Sequence, residues 1–151
     1  MPSEPDIVSV TPEHVSLVAP LFDAYRVWYG EPADPDGSWN FIAQRVRRNE
    51  SVVFLAMVDD QPAGFTQLYP LFSSVSMAPI WLLNDLFVAE EFRGQRIGPL
   101  LLEAAAEFGR QVGALRLELE VEITNPRAQA LYKRHGWVRN ETHNFYSLQL
   151  E

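Results

Sequence analysis

The chain has 151 residues, 47% of them hydrophobic and 12% aromatic, which is enough for one packed core in a single domain over residues 1–151. Twelve Lys and Arg against 20 Asp and Glu give a formal charge of −8, which argues against a nucleic-acid surface and suits a cationic substrate. There is no cysteine for disulfides or thiol catalysis, no apolar run near the roughly eighteen residues of a membrane span, and no basic or apolar signal region in Met1 to Asp6, so a cytoplasmic protein is expected.

In chain order, Ile7-Val8-Ser9-Val10 reads as a short strand. Thr11-Pro12-Glu13 then supplies an N-cap, a proline at the first helical position and an acid in the first turn. The helix that follows keeps Val15, Val18, Phe22, Tyr25 and Val27 to Tyr29 at helical spacing, with a kink expected at Pro20. Gly30 to Gly37 is a turn-rich loop, and Trp39, Ile42 and Val46 mark a second helix. Ser51 to Val58 is a strand, Asp59-Asp60-Gln61-Pro62 a hairpin turn, and Ala63 to Tyr69 the returning strand, ended by Pro70. Ile80 to Val88 forms the next strand, and the pattern Leu100, Leu101, Ala104, Ala105, Phe108, Val112 a third helix that starts near Pro99. Ala114 to Val121 alternates as a half-buried strand, Asn125 to His135 is a helix stopped at Gly136, and Trp137-Val138 with His143 to Leu150 makes a closing hairpin.

Between the third long strand and its helix lies the run Arg93-Gly94-Gln95-Arg96-Ile97-Gly98. A strand, a glycine turn and a helix start make an anion site, because first-turn N–H groups are free and glycine lets backbone approach a phosphate. The spacing is neither GxGxxG nor GxxxxGK[ST]. It resembles instead the Arg/Gln-x-x-Gly-x-Gly/Ala loop with which GCN5-related N-acetyltransferases (GNATs) hold the pyrophosphate of acetyl-coenzyme A, except that Arg96 stands where that pattern has its middle glycine. Downstream, Asn125-Pro126-Arg127-Ala128-Gln129-Ala130-Leu131-Tyr132-Lys133-Arg134-His135-Gly136-Trp137 is similar to the Asn-x-x-Ala-x-x-Leu-Tyr-x-x-x-Gly-Phe signature of the same family, with Trp137 in place of Phe.

The resemblance implies an α/β GNAT fold, with a mixed central sheet of about six to seven strands flanked by about four helices. It also implies acetyl-CoA as cosubstrate. The cofactor-binding residues would be Arg93, Gly94, Gln95, Arg96, Ile97 and Gly98 at the pyrophosphate; Leu86, Phe87 and Val88 on the cofactor strand, where main-chain groups of Leu86 and Val88 would meet the pantetheine as an added strand; and Asn125 and Tyr132. Tyr132 matches the family's general acid toward the coenzyme sulfur, and a phenol of ordinary pKa about 10 holds a proton at neutral pH.

The strand Trp81 to Val88 looks like that of diamine and polyamine acetyltransferases, but Asn84 stands where those have an acid. Alternation places Leu83, Asp85 and Phe87 on one face and Asn84, Leu86 and Val88 on the other, which leaves Asp85 as the catalytic or amine-binding carboxylate. Burial against a nearby arginine is its other reading. Tyr25 to Tyr29, Gln67, Tyr69, Phe72, Ser73 and Ser74 occupy positions that line the family's acceptor pocket, where aromatic rings can enclose an amine. His14, His135 and His143 have no metal-ligand spacing, and HExxH and Gly-x-Ser-x-Gly are missing, so no metal and no serine nucleophile are expected. The reading is transfer of acetyl from acetyl-CoA to a primary amine of a small molecule by a homodimer without nucleic-acid or membrane partners. A protein lysine or N-terminal acceptor, and a non-catalytic acyl-CoA-binding module, are its rivals.

Overall fold

The structure, a computed structural model, describes residues 3–150, and these fall into two compact units that divide after Glu120. The first unit is built on a five-stranded sheet in which spatial order follows chain order. Strand β1 (Asp6–Ser9) leads through a short 3-10 turn into helix α1 (Val15–Trp28), followed by α2 (Pro35–Arg47). Then come β2 (Val52–Val58), β3 (Gln61–Ser73), β4 (Ala78–Val88), a second 3-10 turn (Glu90–Phe92), α3 (Ile97–Gln111) and β5 (Leu117–Glu118). The first four strands pair antiparallel, and β4 with β5 is parallel.

Local chemistry sets these boundaries. The backbone N–H of Thr11 donates to His14 Nδ1 at 2.9 Å, which satisfies one group ahead of α1, and the helix runs through Pro20 unbroken. Helix α2 begins inside the loop expected from the sequence, because Asp34 Oδ1 accepts the N–H of Gly37 at 3.0 Å and Pro35 takes the first helical position. The β2–β3 turn needs only two residues. Asp59 and Asp60 both take positive φ, 48° and 65°, the two-residue form that matches strand twist, so β3 starts at Gln61. Nor does Pro70 end β3. At Pro70, paired with Trp81, β3 has outrun β2, whose last partner is Leu68, so the missing N–H lies on a free edge.

Helices α1 and α2 cover one face of the sheet, packing Val15, Val18, Phe22 and Ile42 on Val53, Leu55, Phe65 and Phe87. Helix α3 covers the other through Ile97 and Leu101 on Ala56, Val58 and Ala63. Gly64 permits that closeness: a Cβ there would lie 2.7 Å from the Phe87 carbonyl oxygen and 3.2 Å from Ile97 Cγ2.

Two expectations are corrected. The six to seven strands are five among the described residues, and β5 is only two residues long, pairing with Trp81 and Leu82 and leaving the rest of the β4 edge without a partner strand. The closing hairpin is not formed. Residues 137–150 carry neither helix nor strand, and Asn140 Oδ1 instead accepts the N–H groups of Thr142 and His143 at 2.9 and 3.1 Å, a local turn that takes donors a ladder would need.

The second unit, from Val121, contains helix α4 (Pro126–Arg134). Asn125 Oδ1 caps it by accepting the Ala128 N–H at 3.1 Å, and Gly136, at φ 90°, ends it.

Candidate active site

The loop expected to hold pyrophosphate sits at the N-terminus of α3, which starts at Ile97, two residues before Pro99. Ile97 is buried and pins the helix start to the sheet. No side chain caps the helix, so its first-turn N–H groups are not claimed by a capping side chain. Gly94, at φ 79°, has nothing within 4 Å of where a Cβ would sit, which leaves an open cradle beside the loop backbone. Arg96 holds the left-handed conformation, φ 66° and ψ 20°, at the position where the family pattern has glycine. The backbone therefore keeps the glycine shape with an arginine in it, at a cost of about 1 kcal/mol. Gln95 donates through Nε2 to the Glu91 carbonyl at 3.3 Å, tying the loop to the 3-10 turn.

Arg93 is already engaged. Its Nε donates to the Val88 carbonyl at 3.1 Å, and its guanidinium lies 4.5 Å from the centre of the Trp28 ring and 5.8 Å from that of Phe87. Trp28 was read from the sequence as an apolar helix position and as a pocket aromatic. Its contact with Arg93 joins elements far apart in the chain and leaves no local signal.

Along β4, Ala89 N–H donates to Ala63 O at 2.8 Å, so by antiparallel alternation the main-chain groups of Leu86 and Val88 face the opposite edge. On that edge β5 pairs only with Trp81 and Leu82, and from Leu83 to Val88 no strand joins β4 among the described residues. Leu86 and Val88 thus present backbone to an open edge, with the Val88 carbonyl held by Arg93, while the Phe87 side chain packs in the core under α1.

The alternation expected through Asp85 fails at a bulge. Gln67 pairs with Asp85 but Leu68 pairs with Leu83, which leaves Asn84 as an extra residue. Leu83 therefore faces away from Asp85, and Asn84 does not point oppositely but donates through Nδ2 to Asp85 Oδ1 at 3.0 Å. Gln67 Nε2 donates to Asp85 Oδ2 at 2.8 Å, the Tyr25 hydroxyl hydrogen-bonds to the same carboxylate, and Thr66 Oγ1 donates to the Asp85 carbonyl at 2.8 Å. Asp85 is 5% exposed, and burial pushes its pKa above the ordinary carboxylate range against the pull of Gln67, Tyr25 and Asn84. The groups acting on it are two amides and a phenol, so the arginine pairing considered from the sequence is not what holds it. Tyr25 packs edge-on against Phe65, Phe87 and Tyr29 with centroids 5.0 to 5.9 Å apart. Tyr69, two residues beyond Gln67 on the same strand, has its pKa pushed up to about 12, first by burial and then by Asp85, and keeps its proton.

In the second unit, Asn125 is occupied as the α4 cap. Tyr132 lies on α4, its ring centre 6.1 Å from that of Trp137, and its carbonyl accepts the Trp137 N–H at 3.0 Å.

The model of the Acetyltransferase (GNAT) family matches residues 18–137. The chain belongs to the GNAT family. Among its relatives is the uncharacterized N-acetyltransferase YhfO of Bacillus subtilis, 41% identical over 135 residues, covering 89% of this chain and 91% of that one. A probable acetyltransferase of Haemophilus influenzae is 30% identical over 138 residues, covering 91% and 92%. The crystal structure of a probable acetyltransferase superposes with a TM-score of 0.92 at 40% identity, covering 97% of this chain and 98% of that one. This GNAT chain is an acetyl-CoA-dependent acyltransferase, and its uncapped α3 start, the Gly94 cradle and the open β4 edge fit that cosubstrate.

Proposed function

We propose that this GNAT moves acetyl from acetyl-CoA to a primary amine of a small molecule such as a diamine, a polyamine or an amino acid. Asp85 carries the reading: a carboxylate buried among aromatic rings, with no cation acting on it, is the group a cationic amine would complete. The family match runs from α1 to Trp137 and supports treating both units as one catalytic domain.

Acetyl-CoA supplies an acetyl thioester, whose carbonyl carbon is open to attack by a neutral amine. The loop Arg93 to Gly98 would hold the pyrophosphate through backbone N–H groups, Gly94 and the two guanidinium groups. Leu86 and Val88 would position the pantetheine by main-chain hydrogen bonds. Asp85, its basicity raised by burial, would take a proton from the ammonium and leave the nitrogen electron pair free. Tyr132 would hold a proton at its hydroxyl for the departing sulfur, and Asn125 would fix the start of the helix that carries it.

The test is thiol release from acetyl-CoA by the purified protein against diamines, polyamines, amino acids and lysine peptides. Saturable release with a small amine supports the proposal. Release only with lysine peptides would transfer it to a protein acceptor, and silence with coenzyme A still bound would make the chain a binding module. Tyr132→Phe should slow turnover on the order of tenfold or more with cofactor affinity nearly intact. Unchanged turnover would remove Tyr132 from the mechanism.

A further inference from the structure

Gln67 is fully buried, and its side-chain amide is only half used. Nε2 donates to Asp85 Oδ2 at 2.8 Å, whereas Oε1, shielded from solvent, has no hydrogen-bond partner. A buried acceptor without a donor has lost its water and gained nothing in return. The residue sits between Val53 of β2 and Asp85 of β4, on the face of the sheet covered by α1. Gln67 and Asp85 are thus adjacent acceptors in one enclosure, one lacking a donor and the other a cation.

We infer that Gln67 is a specificity-determining residue whose free Oε1, together with the Asp85 carboxylate, forms a two-acceptor socket for the acceptor nitrogen and restricts it to primary amines. The inference rests on the amine-binding role proposed for Asp85. A neutral primary amine has two N–H groups and one electron pair. Two acceptors hold both hydrogens and leave the pair as the only free direction on nitrogen, aimed out of the socket. A secondary amine has one N–H in that state, so one acceptor stays buried without a donor. The loss corresponds to roughly tenfold to a hundredfold in kcat/KM. The Nε2 bond has a separate part: it fixes the Asp85 carboxylate, so Gln67 orients the base with one end and reads the amine with the other.

The test uses binding without acetyl-CoA, which keeps it separate from turnover. The full chain is titrated with methylammonium, dimethylammonium and trimethylammonium chlorides, which offer three, two and one N–H, and the side-chain amide resonances of Gln67 are followed by NMR. We expect saturable movement with methylammonium and dimethylammonium, and half-saturation by trimethylammonium at about tenfold higher concentration or more. Size alone would also disfavour the larger ion, so the same series is run on Gln67→Met, followed in both proteins by the Asn84 side-chain amide that donates to Asp85 Oδ1, and there the preference should shrink to about threefold or less. Gln67→Asn, which keeps the amide but withdraws it, serves if the methionine variant does not fold. Gln67 resonances that stay still under methylammonium overturn the inference, as does an unchanged preference in a folded variant. Thiol release with a small amine alongside such a result would leave the amine acetyltransferase reading standing and remove only the socket.

Discussion

A carboxylate buried at Asp85 among two amides and a phenol costs the fold free energy whenever it is ionised. Its folded pKa lies above its unfolded one, so folding takes up a proton between the two. The penalty is absent below the unfolded value, grows as pH rises, and is complete above the folded value. Asp85→Asn should therefore melt no lower than the parent at neutral pH, and its advantage should fade on acidification. Its turnover should fall on the order of a hundredfold. Calorimetry across pH together with thiol release checks both, and a variant that loses stability at neutral pH would contradict the penalty. At Arg96 the argument is steric. Arg96→Gly removes the cost of a left-handed arginine but adds freedom to the unfolded chain, so it should change unfolding free energy by less than about 1 kcal/mol. A larger loss in denaturant titration would mean that the arginine side chain holds the loop. The departure from glycine at this position is legible in the sequence. The conformation that the loop keeps despite it is not, because a residue type does not state its own φ.

Elements are tied together where one side chain serves two of them. Asp23 of α1 accepts the Asp34 N–H at 2.9 Å and the Ser38 hydroxyl at 2.7 Å, joining α1 to the start of α2. These bonds, with Arg26 beside them, hold its carboxyl below the usual range. Its stabilisation is present above the unfolded pKa and is lost as pH falls through the folded one. Asp23→Ala should cost about 1–3 kcal/mol, since buried Ser38 loses its acceptor, and the difference should narrow in acid; denaturant unfolding at two pH values measures it. Gly64→Val should weaken both stability and coenzyme A binding, because the new side chain would push β4 from the α3 start. Calorimetric affinity equal to the parent's would separate that contact from the loop. Helices and strands could be read from periodicity because α1, α2 and α3 each bury one stripe. The bulge at Asn84 could not, since an extra residue in a strand looks like any other until its neighbour's register is known.

Across the whole molecule, strands β1 to β4 and helices α1 to α3 follow from the pattern of apolar residues, while α4 buries no residue and is placed by its signature and its Asn125 cap; the family follows from two spaced signatures. The C-terminal hairpin is where that reading failed. Phe145-Tyr146-Ser147-Leu148 has strand composition, but composition does not supply a partner, and Asn140 offers the backbone a competing turn. The formal charge of −8 acts at this scale as well. It should draw a doubly charged diamine faster than a monoamine of equal reactivity, so kcat/KM for the diamine should fall more steeply with added salt. Parallel salt profiles would show no long-range steering.

The sheet order also sets an order of assembly. Strands β2, β3 and β4 are chain neighbours joined by short turns, whereas β1 reaches β2 only across two helices and β5 reaches β4 only after α3. Local contacts form soonest, because closing a longer loop costs more entropy before any contact rewards it. The meander should then belong to the folding nucleus, and the two-residue junction with β5 to the late steps. A ligand lodged along the open β4 edge would stabilise contacts made after the transition state. Saturating coenzyme A should accordingly slow unfolding in stopped-flow denaturant jumps and leave the refolding rate nearly where it was.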